Sequence, residues 1–163
     1  MRDDSVDRMV QEWAARDDRL DASPLHVVGR LFRGADYGRR AVLDALRPFG
    51  LTYGDFDVLN TLRRRGDVDG TNPGDLAQAA LITSGAMTTR LDRLEQAGYV
   101  HRAVDPADRR GVRVRLTRQG EELATAALEA VLVADEQFLA PLSPAERDQI
   151  AQLLKRLMLP HEE

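Results

Sequence analysis

Residues 84–120 read SGAMTTRLDRLEQAGYVHRAVDPADRRGVRVRLTRQG, and the pattern changes character three times along them. Met87, Leu91 and Leu94 recur at helical spacing and stop at Gly98, a residue suited to a left-handed helix terminus. YVHRAV and GVRVRLT then alternate with period two about the polar turn DPADRR, which predicts a β-hairpin. The alternation turns Val112, Val114 and Leu116 toward the body and Arg113 and Arg115 outward, with Arg109 and Arg110 at or near the tip. Just upstream, Asn72, Pro73 and Asp75 mark the start of a short helix carrying Leu76, Ala77 and Ala80 inward, and Thr83 or Ser84 caps the next. Two helices joined by a few residues and followed by a ribbon make a winged helix-turn-helix.

Taken separately, the second helix reads as a solvated polar face and the hairpin as an edge protected by charge. Their adjacency changes that reading. Ser84, Gly85, Ala86, Thr88, Thr89, Arg90 and Arg93 lie off the buried stripe, and small, hydroxyl and Arg side chains are suited to base edges and phosphates in a major groove. Arginines at the hairpin tip suit the narrow minor groove, and Asp108 is placed to hold a neighbouring Arg extended. Double-stranded DNA is therefore the expected partner. Charge distribution agrees: between Thr83 and Gln119 eight arginines face four acidic residues, net +4, whereas the remaining 15 basic and 23 acidic residues sum to −8. A basic working surface on an acidic body binds a polyanion in one orientation.

Composition excludes much else. With no Cys among 163 residues, disulfides, thiolate metal sites and thiol nucleophiles are absent. His26, His101 and His161 lack metal-ligand spacing, and neither a phosphate-binding glycine loop nor a nucleophile elbow occurs, so no enzyme and no cofactor is expected. The first residues lack the basic start and apolar run of a secretory signal, and no apolar span reaches membrane length, so the expectation is a cytoplasmic protein without a membrane partner.

Elsewhere the pattern is helical. Val6, Met9, Val10 and Trp13 form the stripe of a short first helix; Ser23 and Pro24 open a long second one that ends near RPFG; a third begins after Thr52 and carries Phe56, Leu59 and Leu62. Beyond Thr117 the chain returns to helix, and Ser143, Pro144 and Glu146 open a final helix bearing Ile150, Leu153, Leu154 and Leu157. These outer helices hold more apolar surface than a small winged domain buries, which suggests a homodimer. The expected fold is mainly α with a small β-hairpin wing, an intertwined helical homodimer. Residues 1–50 and 118–163 form the dimerisation region and 51–117 the DNA-binding region.

The ordered set LTYGDFDVL, LITSGAMTTRLDRLEQAGYV, DPADRRGVRVRLTRQG and LSPAER resembles the MarR family of winged-helix transcription regulators, with Asp108 and Arg110 as the wing's Asp-x-Arg pair. The resemblance runs from about Ser23 to the last helix. It implies an obligate homodimer on a pseudo-palindromic operator, usually repressing until a small ligand binds. A finer resemblance is to the urate-responsive branch, which has an added N-terminal helix: Trp13, Asp57, Arg64 and Arg90 fall at its ligand-binding places. That implies a small anionic aromatic ligand, urate or purine-like, its charge held by Arg and its flat face against the indole. Trp13 equally completes an apolar stripe, and Arg64 lies in a run of three arginines that would ordinarily be solvated. Alternatives are a DNA-binding regulator without a ligand and a metal-responsive regulator using His and carboxylates.

Overall fold

A computed structural model describes residues 2–80, 87–106 and 111–162. Along the chain run α1 (Ser5–Arg16), α2 (Leu25–Leu46), α3 (Tyr53–Arg65), α4 (Pro73–Ala79), α5 (Met87–Gln96), β1 (Val100–Val104), β2 (Val112–Leu116), α6 (Arg118–Leu139) and α7 (Pro144–Met158). Short side chains set the starts: Asp4, Thr52 and Ser143 each form a reciprocal capping box with the residue three positions on. Asn72 caps α4 through Gly74, with Pro73 in its first turn. Gly98 follows α5 at φ 78°, the left-handed conformation expected there. The predicted cap at Thr83 or Ser84 lies outside the described residues.

Contacts divide the chain into two units, residues 1–41 and 42–163. Within the first, α1 lies on α2 with Val6 buried against Gly29; a Cβ at that glycine would stand 3.2 Å from a Val6 methyl. Arg30 of α2 clamps the start of α1, its Nε 2.9 Å from Asp4 and its Nη2 2.7 Å from Asp7.

The second unit is organised around α3. Its sequence suggests one apolar stripe, yet Gly54, Asp55, Phe56, Asp57, Val58, Leu59, Thr61 and Leu62 are all buried. A helix buried around most of its circumference has neighbours on several sides. One side meets Leu76 of α4, Leu91 and Leu94 of α5 and Val114 of β2; another meets Leu46, Ala127 and Val131. Each large apolar side chain so enclosed contributes about 1.5–3 kcal/mol relative to exposure. The hairpin pairs antiparallel, Val100 opposite Leu116 and Val104 opposite Val112. Thr71 adds a bridge on the far side of β2, exchanging two 2.9 Å backbone hydrogen bonds with Val114.

Two expectations for the hairpin need correction. Val112, expected against the body, is 37% exposed because it sits beyond the core on the distal half of the ribbon, while Val114 is fully enclosed. Arg113, expected to project outward, instead donates from Nε to Asp105 at 2.6 Å and from Nη1 to the Gly70 carbonyl at 3.2 Å. The buried Asp105 carboxylate needs a cation, and Arg113 supplies one.

Large apolar side chains remain on the surface, among them Phe32 at 70%, Ile150, Leu153 and Leu157. No helix among the described residues is long and apolar enough to cross a membrane.

The start of α6 is fixed by a close approach: an added Cβ at Gly120 would lie 1.9 Å from the Tyr99 carbonyl oxygen. Because the obstacle is backbone, Gly120→Ala is expected to cost about 2–4 kcal/mol. Denaturant unfolding checks this, the expected result being a lower midpoint with an unchanged slope.

Candidate nucleic-acid interface

Met87, Leu91 and Leu94 face the core, leaving Thr88, Thr89, Asp92 and Arg93 of α5 exposed. The two threonines are exposed on the outer face. The arginines are placed differently. Arg93 is half exposed, yet Nη2 holds Oδ1 of Asp55, a carboxylate only 3% accessible at the start of α3. The other Asp55 oxygen accepts from the Thr52 hydroxyl at 2.6 Å and the Thr52 N–H at 3.2 Å. One buried carboxylate thus closes the α3 cap and fixes the second turn of α5.

Arg90, one turn earlier, lies against Gly54: a Cβ built there would be 2.2 Å from Nε. Among the described residues, neither Nε nor Nη1 finds a hydrogen-bond partner, although both atoms are buried. A third arginine, Arg102 of β1, ties the hairpin to α5. Its N–H and Nε donate to Glu95 at 2.9 and 2.7 Å, and Nη2 reaches Asp92 at 2.6 Å. The Arg102 backbone N–H, followed by its guanidinium, holds the Glu95 carboxyl below its ordinary range.

The basic window is therefore partly consumed inside the fold. Arg93, Arg102 and Arg113 each hold a carboxylate, whereas Arg115 remains exposed. Ser84, Gly85, Ala86, Asp108, Arg109 and Arg110 lie outside the described residues. Sequence reading missed Gly54, Asp55, Arg102 and Asp105. The signal available was GD two and three residues after the Thr52 cap, where the box needs only the acid at its third position.

Of the expected ligand residues, Asp57 is buried on α3 one turn after Gly54, so it shares a face with the residue beneath Arg90. Arg64 lies two turns beyond Asp57, is exposed, and donates to the Ala79 carbonyl at 3.1 Å. Trp13 belongs to the first unit, where at 44% exposure it lines a shallow depression with residues 14–19. No group of three or more His, Asp or Glu among the described residues is arranged to hold a metal ion.

A helix pair whose second member is backed by a two-stranded wing is a winged helix-turn-helix. The sequence profile of the MarR family matches residues 49–111, which take in α3, α4, α5 and β1. The HTH-type transcriptional regulator PecS of Dickeya dadantii is 35% identical over 152 residues, covering 93% of this chain and 92% of that protein. A mutant form of Escherichia coli MarR complexed with operator DNA superposes with a TM-score of 0.72 at 27% identity, over 85% of this chain and 99% of its own. Bordetella bronchiseptica BpsR, described as regulated in DNA binding by 6-hydroxynicotinic acid, gives 0.71 at 27% identity over 80% and 91%. The chain belongs to the MarR family of winged-helix transcription regulators; its relatives are regulators, not enzymes.

A depressed folded pKa stabilises the fold above the unfolded value, and that contribution disappears as pH falls through the folded one. Glu95→Gln should therefore lower Tm near neutrality, and the gap from the parent should close below about pH 4. A gap that stays constant down to about pH 3 would remove Glu95 from the acid response.

Proposed function

We propose that this chain is a ligand-responsive repressor that binds a pseudo-palindromic operator as a homodimer in the cytoplasm and leaves it when a small anionic aromatic molecule, urate or a related purine, is captured. The observation that carries the DNA reading is the exposed Thr88–Thr89 face of α5 beside the hairpin. In this reading Ser84, Gly85, Ala86, Thr88 and Thr89 meet base edges. Arg109 and Arg110, with Asp108 orienting them, enter the minor groove. Arg93 and Arg113 serve the interface by rigidity, since their guanidiniums support buried carboxylates. The apolar faces around Phe32 and Leu153 supply the surface that a second copy covers. The ligand reading assigns Asp57, Arg64 and Arg90 to recognition, with Trp13 as the fourth member of the pattern. It is supported by Arg90, two of whose buried donors have no acceptor among the described residues.

Footprinting on DNA retained by the purified protein is expected to show an inverted repeat with half-sites about one helical turn apart. A single unrepeated half-site occupied by one subunit would contradict the dimer. Arg110→Ala should weaken operator binding and reduce the salt slope by about one, with folding intact. Unchanged affinity and slope would mean that the hairpin does not touch DNA. Trp13 is the only tryptophan, so its emission reports without ambiguity. Urate should quench it saturably over the concentrations that release operator, and Arg64→Ala should abolish both responses. Release of DNA without any change at Trp13 would exclude Trp13 from the site.

A further inference from the structure

The hairpin leaves the body of the second unit at a definite level. Val100 and Val114 are enclosed, whereas Val104 and Val112, paired nearest the turn, are 64% and 37% exposed. Arg102 stands directly opposite Val114, at the point where the ribbon parts from the core. From there a single residue makes three bonds to α5. Its N–H and Nε donate to the two oxygens of Glu95 at 2.9 and 2.7 Å, and Nη2 donates to Asp92 at 2.6 Å. Asp92 follows the exposed Thr88 by one turn and Glu95 follows Asp92 by three residues, so both acids share the face of α5 that carries Thr88. On the other edge, Thr71 pairs with Val114 and the Gly70 carbonyl accepts from Arg113. A two-stranded ribbon is only marginally stable alone, so its direction is set by what holds its base.

We infer that Arg102 is the positioning residue of the wing: its guanidinium, forked across Asp92 and Glu95, sets the angle at which the ribbon leaves α5. It thereby fixes the spacing along DNA between the major-groove steps met by the helix and the minor-groove step entered by the wing. The inference rests on the wing reading above and adds to it the residue that aims the wing. The tolerance is small. Strand residues advance about 3.3 Å each, so a tilt of about 10° displaces a point about 15 Å along the ribbon by about 3 Å, half the roughly 6 Å width of a minor groove. The backbone bond from Arg102 to Glu95 holds β1 at one point and leaves it able to pivot. Thr71 and Gly70 define the pivot from the β2 edge. A planar fork meeting two carboxylates at once closes that freedom on the α5 side, because tilting the strand stretches at least one of its bonds. The fork also neutralises two acids that would otherwise face a phosphate backbone, so aiming and neutralising have to be separated by experiment.

The test uses the full-length protein on its footprinted operator. Two variants are compared with the parent: Arg102→Met alone, and Arg102→Met combined with Asp92→Asn and Glu95→Gln, in which no carboxylate is left without its cation. Each is made with and without Arg110→Ala. In both variants, hydroxyl-radical footprints should lose the minor-groove protection beside each half-site while major-groove protection is retained. Arg102→Met should weaken operator binding about tenfold, but less than about twofold when Arg110 is already alanine, because a wing without its tip arginine gains little from being aimed. Simple destabilisation of the domain would weaken binding equally in the two backgrounds, so a full tenfold loss on top of Arg110→Ala would overturn the inference. Restored minor-groove protection in the combined variant would also overturn it, since Arg102 would then serve only to neutralise the two acids. The combined variant decides the matter even if Arg102→Met alone does not fold. Parental affinity in Arg110→Ala alone would instead remove the wing from DNA, and the inference would fall together with the reading it rests on.

Discussion

Because the Asp55 carboxylate is almost wholly enclosed, its charge has to be met locally, and the way it is met fixes the functional surface. One oxygen completes the cap of α3 and the other holds Arg93 of α5. Removing Arg93 leaves the buried Asp55 carboxylate without its cation, which is among the more destabilising single changes available to a small domain. The recognition helix is thus registered against α3 by an ion pair, not by apolar packing alone. Arg102 does the same for the hairpin, linking β1 to Asp92 and Glu95. Helix and wing are therefore presented as one rigid piece, and Arg113 on Asp105 stiffens the base of the ribbon.

Much of the architecture was legible because it follows from local chemistry. Capping residues at Thr52, Asn72 and Ser143, the glycine at 98 and the alternation on either side of DPADRR act within a few positions of the backbone they shape. What depends on distant neighbours was less legible. Periodicity in α3 shows Phe56, Leu59 and Leu62, but the burial of Asp55, Asp57 and Thr61 follows from a helix surrounded on several sides, which no single stripe encodes. The exposure of Val112 has a similar origin: alternation specifies a face of the ribbon, but how far the core extends beneath that face is a tertiary matter.

The charge pattern was legible in sign but not in use. Counting arginines locates the basic window; pairing decides how much of it is offered to a polyanion. Arg93, Arg102 and Arg113 neutralise carboxylates inside the same unit. The exposed threonines of α5 and the wing arginines then bear proportionately more of the DNA reading. Arg90 is the exception. Two of its donors are neither paired nor solvated among the described residues, and its position makes physical sense only in relation to the missing side chain of Gly54. That relation joins residues far apart in the sequence and leaves no periodic or spacing signal.

If Arg90 takes part in ligand recognition as proposed, capture of the anion is expected to move the recognition helices of the proposed dimer relative to each other. The absence of cysteine allows a single label to be introduced cleanly, and Thr88 is exposed on the outer face of α5. Spin-labelled Thr88→Cys, studied by pulsed dipolar spectroscopy, would report the distance between the two helices directly. The predicted result is one narrow distribution in the free protein that shifts by more than its own width when urate is added at concentrations that release operator. An unchanged distribution under those conditions, with DNA released, would contradict the coupling of Arg90 to the position of the recognition helix.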